Sequence, residues 1–115
     1  MINQLRLYRI DPARKDVFLK RFREHAVRIM TERYGFQILA MWLSDEKEQM
    51  RFVYLLSWPD AAAMTSAWER FMADKEWAEI KRRFRESHGE PVQSVEDIAL
   101  DAVDFSAPLG PTMHR

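Results

Sequence analysis

Two neighbouring segments of this chain are predicted to be strands with apolar side chains on both of their faces. They span residues 36–43 and 50–58, and the charged and polar residues 45–49 form a solvated connection between them. Successive side chains of a strand point to opposite faces, so a strand with one wet face alternates apolar and polar residues. This hairpin therefore needs cover on both sides. The helices of the chain can cover one side, and we expect a second copy of the chain, or a ligand, on the other.

The first part of the chain is predicted to form a strand followed by a helix. Residues 2–10 alternate with the period of two that is typical of a strand. Asp11 offers a side-chain oxygen as helix N-cap, and the fixed φ of Pro12 suits the first helical position. Gly35 is the expected C-cap. The helix between them has an apolar stripe, formed by Phe18, Phe22, Ala26, Ile29 and Met30.

Two more helices are predicted after the hairpin. Pro59 cannot donate to a sheet, so it ends the second hairpin strand, and a helix follows Asp60 up to about Ala73. We expect one side of this helix to be buried, namely Met64, Trp68, Phe71 and Met72. Asp74 can cap a further helix that ends near Gly89. Its apolar positions recur at helical spacing as Trp77, Ile80 and Phe84.

The order of elements predicts the fold class. Residues 92–105 alternate loosely and predict a last strand, bulged or in two pieces. The order is then β-α-β-β-α-α-β, which favours an α+β fold with a ferredoxin-like antiparallel sheet and helices on one face. We expect a single domain over residues 1–106. Residues 107–115 contain prolines, a glycine and small residues, and predict an extended or loosely ordered C-terminal tail.

Charge balance and the absence of cysteine narrow the classes of function. Lysine plus arginine and aspartate plus glutamate both number 18, so no overall field attracts nucleic acid or anionic lipid. Without cysteine the chain has no disulfide, thiolate nucleophile or zinc finger. The N-terminus lacks a signal-peptide pattern, and no apolar stretch approaches the ~20 residues that span a bilayer. We expect a cytoplasmic protein with no nucleic-acid partner and no membrane span.

The sequence lacks the motifs that mark nucleotide binding, serine hydrolysis and metal catalysis. Its three glycines form neither GxGxxG nor a Walker A loop, and no serine lies in a GxSxG motif. The spacing of His25, His88 and His114 excludes a helical HxxxH metal pair and an HExxH zinc site. We therefore predict no metal and no cofactor, and the catalytic residues remain unknown.

Several polar and aromatic side chains are candidates for a ligand site. A phenol inside an apolar strand, such as Tyr54, must find a hydrogen-bond partner or contact a ligand. His25 lies at the apolar edge of the first helix, where it could line a cleft or be a hydrogen-bonded structural residue. The tryptophans could wall an aromatic pocket or anchor the core and a dimer interface. The ligand-binding candidates are Arg6, Tyr8, His25, Trp42, Tyr54 and Trp58.

A basic cluster lies late in the third predicted helix, at Lys81, Arg82, Arg83 and Arg85. Nucleic-acid binding would need a broader basic surface with interleaved aromatic residues. Cations in the last turns of a helix complement its dipole, and Glu79 is placed to pair with Arg83. We therefore predict a solvated helix face.

A set of short motifs resembles the NIPSNAP family, in the same order and over about the whole chain. The motifs are Leu5-Arg6-Leu7-Tyr8-Arg9-Ile10, Trp42 after the first hairpin strand, Tyr54 to Trp58 before a helix, Phe71-Met72-Ala73-Asp74-Lys75-Glu76-Trp77, and Asp104-Phe105-Ser106. The resemblance implies a ferredoxin-like protomer of the dimeric α+β barrel group. That group includes antibiotic-biosynthesis and haem-degrading monooxygenases, which use the cleft between sheet and helices. The family carries no agreed catalytic set, so no catalytic residue is implied here.

These observations lead to three hypotheses about function. The first is a homodimer, paired through its sheet faces, that binds a small hydrophobic or aromatic molecule in a cleft between sheet and helices. The second, by analogy of fold, is a cofactor-independent monooxygenase in which Tyr54, a cleft tryptophan or His25 orients an aromatic or quinol substrate. The third is a haem-binding protein with His25 as ligand.

Overall fold

The structure, a computed structural model, describes residues 1–109 of the 115-residue chain. Four strands and three helices follow one another in the predicted order. The strands are β1 (Ile2–Ile10), β2 (Gln37–Glu46), β3 (Gln49–Trp58) and β4 (Val92–Leu100). The helices are α1 (residues 15–34), α2 (Ala61–Met72) and α3 (Lys75–His88). A 3₁₀ turn, Pro12–Arg14, precedes α1, which contains two π-helical segments, Phe22–Ala26 and Ile29–Arg33.

The strands form one antiparallel sheet in the order β2-β3-β1-β4, and the helices lie on one of its faces. This arrangement is the ferredoxin-like α+β fold, and it confirms the predicted class. The helix N-caps act where the sequence placed them. Asp11 accepts a hydrogen bond from the amide of Ala13, and Asp60 accepts one from the amide of Ala63.

The hairpin connection is tighter than predicted. Strands β2 and β3 pair as far as Glu46 opposite Gln49, so Lys47 and Glu48 alone form the turn. Their φ angles are 53° and 61°, the left-handed values that a two-residue type I′ turn requires at both positions. Because neither residue is glycine, the turn has no short-range signal in the sequence. Asp45 and Glu46, which were predicted to lie in the connection, belong to β2.

The core lies between the helices and one face of the sheet. All five residues of the predicted stripe of α1 are buried, and the alternate residues of β3 from Met50 to Trp58 pack against them. The prediction for α2 is correct for Phe71 and wrong for Met72, which is 55% exposed. Met72 follows Phe71 by about 100° around the helix, which turns its side chain from the core to the rim.

The last strand is shorter than predicted. It is a single segment that ends at Leu100, paired with β1 and with a register shift beside Arg9 and Ile10. Residues 101–109 form no strand, and they leave Val103 and Phe105 exposed. The predicted tail begins within this segment, and residues 110–115 lie outside the described residues.

The second face of the sheet has no cover from the helices and is rich in apolar side chains. We call it the open face. Its charged members include Arg9, Arg51 and Glu96, and its apolar members are Leu5, Leu7, Leu39, Trp42, Val53, Leu55, Ile98 and Leu100. Its central members on β1 and β3 are half-buried by their neighbours, whereas Trp42 on β2 is 51% exposed and Ile98 on β4 is 38% exposed. The helices thus cover one face only, as the doubly apolar hairpin predicted.

Asp74 joins the end of α1 to the start of α3. Its carboxylate caps α3 by accepting from the amide of Trp77 at 2.8 Å. It also accepts from Arg33 Nη1 at 2.7 Å and from Tyr34 Oη at 2.6 Å. Burial alone would raise the pKa of Asp74, but the hydrogen bonds from Tyr34, Trp77 and Arg33 outweigh it and lower the pKa to about 2.

The stability of the protein should therefore depend on this carboxylate. We expect Asp74→Asn, which keeps a capping oxygen but removes the charge, to lower the free energy of unfolding at pH 7 by about 2 kcal/mol. Because the pKa is depressed in the folded state, the deficit should be full above about pH 4 and should shrink as the pH falls through about 2. Urea unfolding at pH 7 and pH 2.5 measures this, with the exposed Asp16→Asn as control. A deficit of equal size at both pH values would contradict the prediction.

Candidate functional site

A cavity of about 220 Å³ lies between the helices and the helix-facing side of β1 and β4. Its walls are mostly aromatic or aliphatic, and four cations and one carboxylate interrupt them. The lining residues are Arg6, Tyr8, Phe18, Arg21, Phe22, Met30, Trp68, Phe71, Met72, Trp77, Lys81, Arg85, Glu90, Val92 and Val95. A mostly apolar cavity with a few convergent polar groups is the usual form of a small-molecule site.

A chain of hydrogen bonds forms the sheet side of the cavity. Arg6 Nη2 donates to Tyr8 Oη at 3.1 Å, and Tyr8 Oη lies 2.6 Å from Tyr54 Oη. Tyr54 is fully buried behind the wall, and burial raises its pKa well above the usual value, so its phenol remains protonated. Arg6 is anchored on its other side by Asp97, 3.1 Å away. The chain presents a cation and a hydroxyl group to the cavity.

A buried glutamine positions the tryptophan at one end of the cavity. Gln4 Oε1 accepts hydrogen bonds from the indole nitrogens of Trp58 and Trp68, each at 2.8 Å. The guanidinium of Arg6 lies over the Trp68 ring, 4.1 Å from its centroid. Trp68 is therefore held at its nitrogen and stacked on its face, which fixes this aromatic wall.

Three cations line the opposite end of the cavity. The side chain of Arg21 is 6% exposed, and its guanidinium lies 5.6 Å from the Trp77 ring centroid. Glu90 is the nearest carboxylate, 3.8 Å from Arg21 Nη2 and 4.0 Å from Arg85 Nη1. Lys81 Nζ lies over the same ring, 5.6 Å from the Trp77 centroid. Glu90 is thus the one carboxylate of the cavity lining beside these three cations.

The prediction of a solvated basic face on α3 is correct for two of its four residues. Arg82 and Arg83 point away from the cavity and pair with Glu79, including the predicted pair between Glu79 and Arg83 at 3.6 Å. Lys81 and Arg85 instead line the cavity. They follow Trp77 by four and eight residues, so they share its side of the helix. That spacing was the signal in the sequence that could have assigned them to the site.

Sequence reasoning also missed Arg21. It follows Phe18 by three residues and precedes Phe22, so it falls within the buried stripe of α1. A cation inside an apolar stripe is rarely fully buried without a partner. That mismatch between residue type and position is the signal that pointed to a site.

The six predicted ligand residues fall in different places. Arg6 and Tyr8 line the cavity, and Tyr54 is bonded to Tyr8 behind its wall. Trp58 is buried beside Gln4, and Trp42 lies on the open face. His25 packs its ring against Phe84, 5.9 Å between centroids, and is absent from the cavity lining. The structure therefore gives no support to haem ligation by His25 in this cavity.

Residues 1–109 contain neither a metal-binding cluster nor a membrane-spanning helix. No group of three or more histidine, aspartate or glutamate side chains in this range could hold a metal ion. None of the helices in the same range is long and apolar enough to cross a membrane.

Comparison with known proteins places the chain in a family. The family model for NIPSNAP matches residues 3–107. The chain belongs to the NIPSNAP family. This confirms the resemblance carried by the short motifs. A comparison with the curated proteins gives no match.

Solved NIPSNAP structures share the fold over nearly the whole chain. An uncharacterised NIPSNAP domain protein from Burkholderia xenovorans has a TM-score of 0.77 at 22% identity, with 94% of this chain and 100% of that chain covered. A NIPSNAP family protein from Agrobacterium tumefaciens has a TM-score of 0.78 at 21% identity, with 95% and 98% covered. At such identities the likeness shows the fold alone.

More distant neighbours of this NIPSNAP chain include monooxygenases. The monooxygenase from the ActVA-Orf6 gene of Streptomyces coelicolor, solved in complex with nanaomycin D, has a TM-score of 0.57 at 16% identity. That alignment covers 93% of this chain and 91% of the other. An antibiotic biosynthesis monooxygenase gives a TM-score of 0.58 at 24% identity, with 90% and 99% covered. These values again show a common fold.

Proposed function

We propose that this NIPSNAP-family protein is a homodimer that binds a small hydrophobic or aromatic molecule in the cavity between sheet and helices. The observation that carries the proposal is the cavity itself, where aromatic walls meet the hydrogen-bonded chain of Arg6, Tyr8 and Tyr54. A site of this kind buries an apolar body and orients it through a few polar groups.

The size and lining of the cavity favour a molecule with a single ring. A cavity of about 150 Å³ is large enough to bind benzene, and this one measures about 220 Å³. Trp68, Phe71 and Trp77 offer flat faces that suit stacked or edge-on contact with a second ring. The hydroxyl group of Tyr8 can donate to or accept from a polar substituent.

The open face supports the dimer. Monomeric soluble proteins rarely expose a contiguous apolar surface that spans a whole sheet. Leu5, Leu55 and Ile98 lie side by side on three adjacent strands, and Leu7 and Val53 continue the row. A two-fold interface is formed by the same surface of both copies, so one self-complementary apolar face is sufficient.

A blocked cavity should lose its ligand. Val95 lies on the cavity wall and is 49% exposed, so Val95→Trp should fill the space without disturbing the core. We expect this variant to bind a panel of small aromatic compounds at least about tenfold more weakly than the wild type. Isothermal titration calorimetry measures the affinities. Val103→Trp, at a residue 53% exposed and outside the cavity lining, is the matched control. Binding that persists in the blocked variant would contradict a ligand site in this cavity.

The phenol pair favours one second candidate, a cofactor-independent monooxygenase that acts on an aromatic or quinol substrate. Tyr8 and Tyr54 are hydrogen-bonding groups beside Arg6, and together they could orient a hydroxylated ring and stabilise negative charge on its oxygen. The quinol would supply the electrons and dioxygen would accept them. Oxygen consumption with a quinol should fall in Tyr8→Phe; consumption that is absent, or unchanged in this variant, would remove the candidate.

A further inference from the structure

We infer that the molecule bound in the cavity carries a carboxylate, held by Arg21, while its apolar body lies between Trp77 and Trp68. This inference rests on the proposed binding function and adds the charge of the ligand and the residue that recognises it.

The hydrogen-bonding state of Arg21 is the first observation. The side chain is 6% exposed, and its Nη1 is buried without a hydrogen-bond partner among residues 1–109. Its nearest acidic group is Glu90, at a distance of 3.8 Å from Nη2, which is longer than a hydrogen bond. A buried, unpaired donor on a charged group is unfavourable, and a ligand oxygen would satisfy it.

The balance of charge is the second observation. Arg21, Lys81 and Arg85 line one end of the cavity, and Glu90 is the single carboxylate in the lining. Burial lowers the pKa of Lys81, and the charges of Arg21 and Arg85 lower it further. The protein as a whole has a net charge of zero, so this positive excess is local. An anion entering the cavity would reduce the repulsion among the three cations.

The shape of the site favours a carboxylate on an aromatic body. A guanidinium is planar and presents paired N–H groups that match the two oxygens of a carboxylate. Arg21 lies between the rings of Phe18 and Trp77, at 6.0 and 5.6 Å from their centroids, so the group that it would hold is flanked by aromatic surface. The cavity of about 220 Å³ has space for one ring with a short acidic arm, since about 150 Å³ accommodates benzene.

A pair of ligands with the same phenyl ring and carbon chain, one ending in a carboxylate and the other in a hydroxyl group, tests the inference. Calorimetry should show that 3-phenylpropionate binds the wild-type protein about tenfold more tightly than 3-phenylpropanol, because hydrogen bonds to a charged group are the stronger ones. Equal affinities would overturn the inference and leave the proposed binding function intact. Failure of both compounds to bind would instead count against the proposed function for a ligand of this size.

Variants identify the residue responsible. Arg21→Gln should remove the preference for the acid over the alcohol, a ratio that loss of structural packing alone would not change. Arg23→Gln, which removes the same charge from a 72% exposed side chain on the same helix, should retain it. If Arg21→Gln fails to fold, Lys81→Gln provides the test, because Lys81 lies nearer the solvent. This variant should reduce the ratio of the affinities for the acid and the alcohol about threefold. A ratio unchanged in both cavity variants would overturn the assignment.

Discussion

Gln4→Leu is expected to lower the free energy of unfolding by about 3 kcal/mol. Gln4 is 1% exposed, and it accepts from the indole nitrogens of both Trp58 and Trp68. Its amide also donates to Asp97 Oδ1 at 2.8 Å. Leucine has a similar size, so the expected loss comes from the unpaired indole groups and not from an empty space. Each buried donor left unpaired costs about 1–3 kcal/mol.

Urea unfolding followed by circular dichroism measures this effect. If the free energy of unfolding falls with urea concentration at the same slope in both proteins, the unfolded state is unaffected. Gln37→Leu is the matched control, because Gln37 is exposed on the edge strand β2. A loss below about 1 kcal/mol in Gln4→Leu would mean that the indoles find other partners, and would contradict the prediction.

Leu5→Lys is expected to convert the proposed dimer into a monomer at micromolar concentration. Leu5 lies on the open face between Leu55 of β3 and Ile98 of β4, near the centre of the row that a partner would cover. A two-fold interface would bury two copies of the new charge, each close to the other. We expect the dissociation constant to rise at least about a hundredfold, since an unpaired buried charge costs several kcal/mol.

Light scattering and sedimentation of the wild type and the variant test this expectation. Leu43→Lys places the same charge on the other side of the sheet, on a side chain already 42% exposed, and should leave the assembly unchanged. A wild-type protein that is monomeric and soluble at micromolar concentration would overturn the proposed dimer. A variant that remains dimeric would move the interface away from the open face.

The fold was predictable because its signals are local. Asp11, Asp60 and Asp74 each precede a helix, and each carboxylate accepts a hydrogen bond from an amide of the first turn. Such a cap can be predicted without knowledge of tertiary structure. The stripe of α1 depends on spacing along one helix. Met72 was misassigned because it neighbours Phe71 at the edge of the apolar arc, where small rotations decide between the core and the rim.

The candidate site was predictable only in part. Arg6, Tyr8 and Tyr54 are polar residues in strands otherwise rich in apolar ones, so the sequence singled them out. The side of the sheet that Trp42 faces could not be read, because a bulge beside Leu39 changes the alternation of β2. Arg21 and Lys81 were missed since long cationic side chains usually reach water, and only the packing of three helices encloses them.

The two π-helical segments of α1 allow buried residues to recur at steps of four, at Phe18, Phe22, Ala26 and Met30. In a uniform α-helix each step of four residues overshoots a full turn by about 40°, so three steps from Phe18 to Met30 would drift by about 120°. The wider turns absorb this drift, and both ends of the series stay buried. The spacing of the buried side chains along the sequence thus reflects the number of residues per turn in this part of α1. A homologue whose helix lacks these wide turns would need more steps of three between its buried residues to keep the helix packed on the sheet.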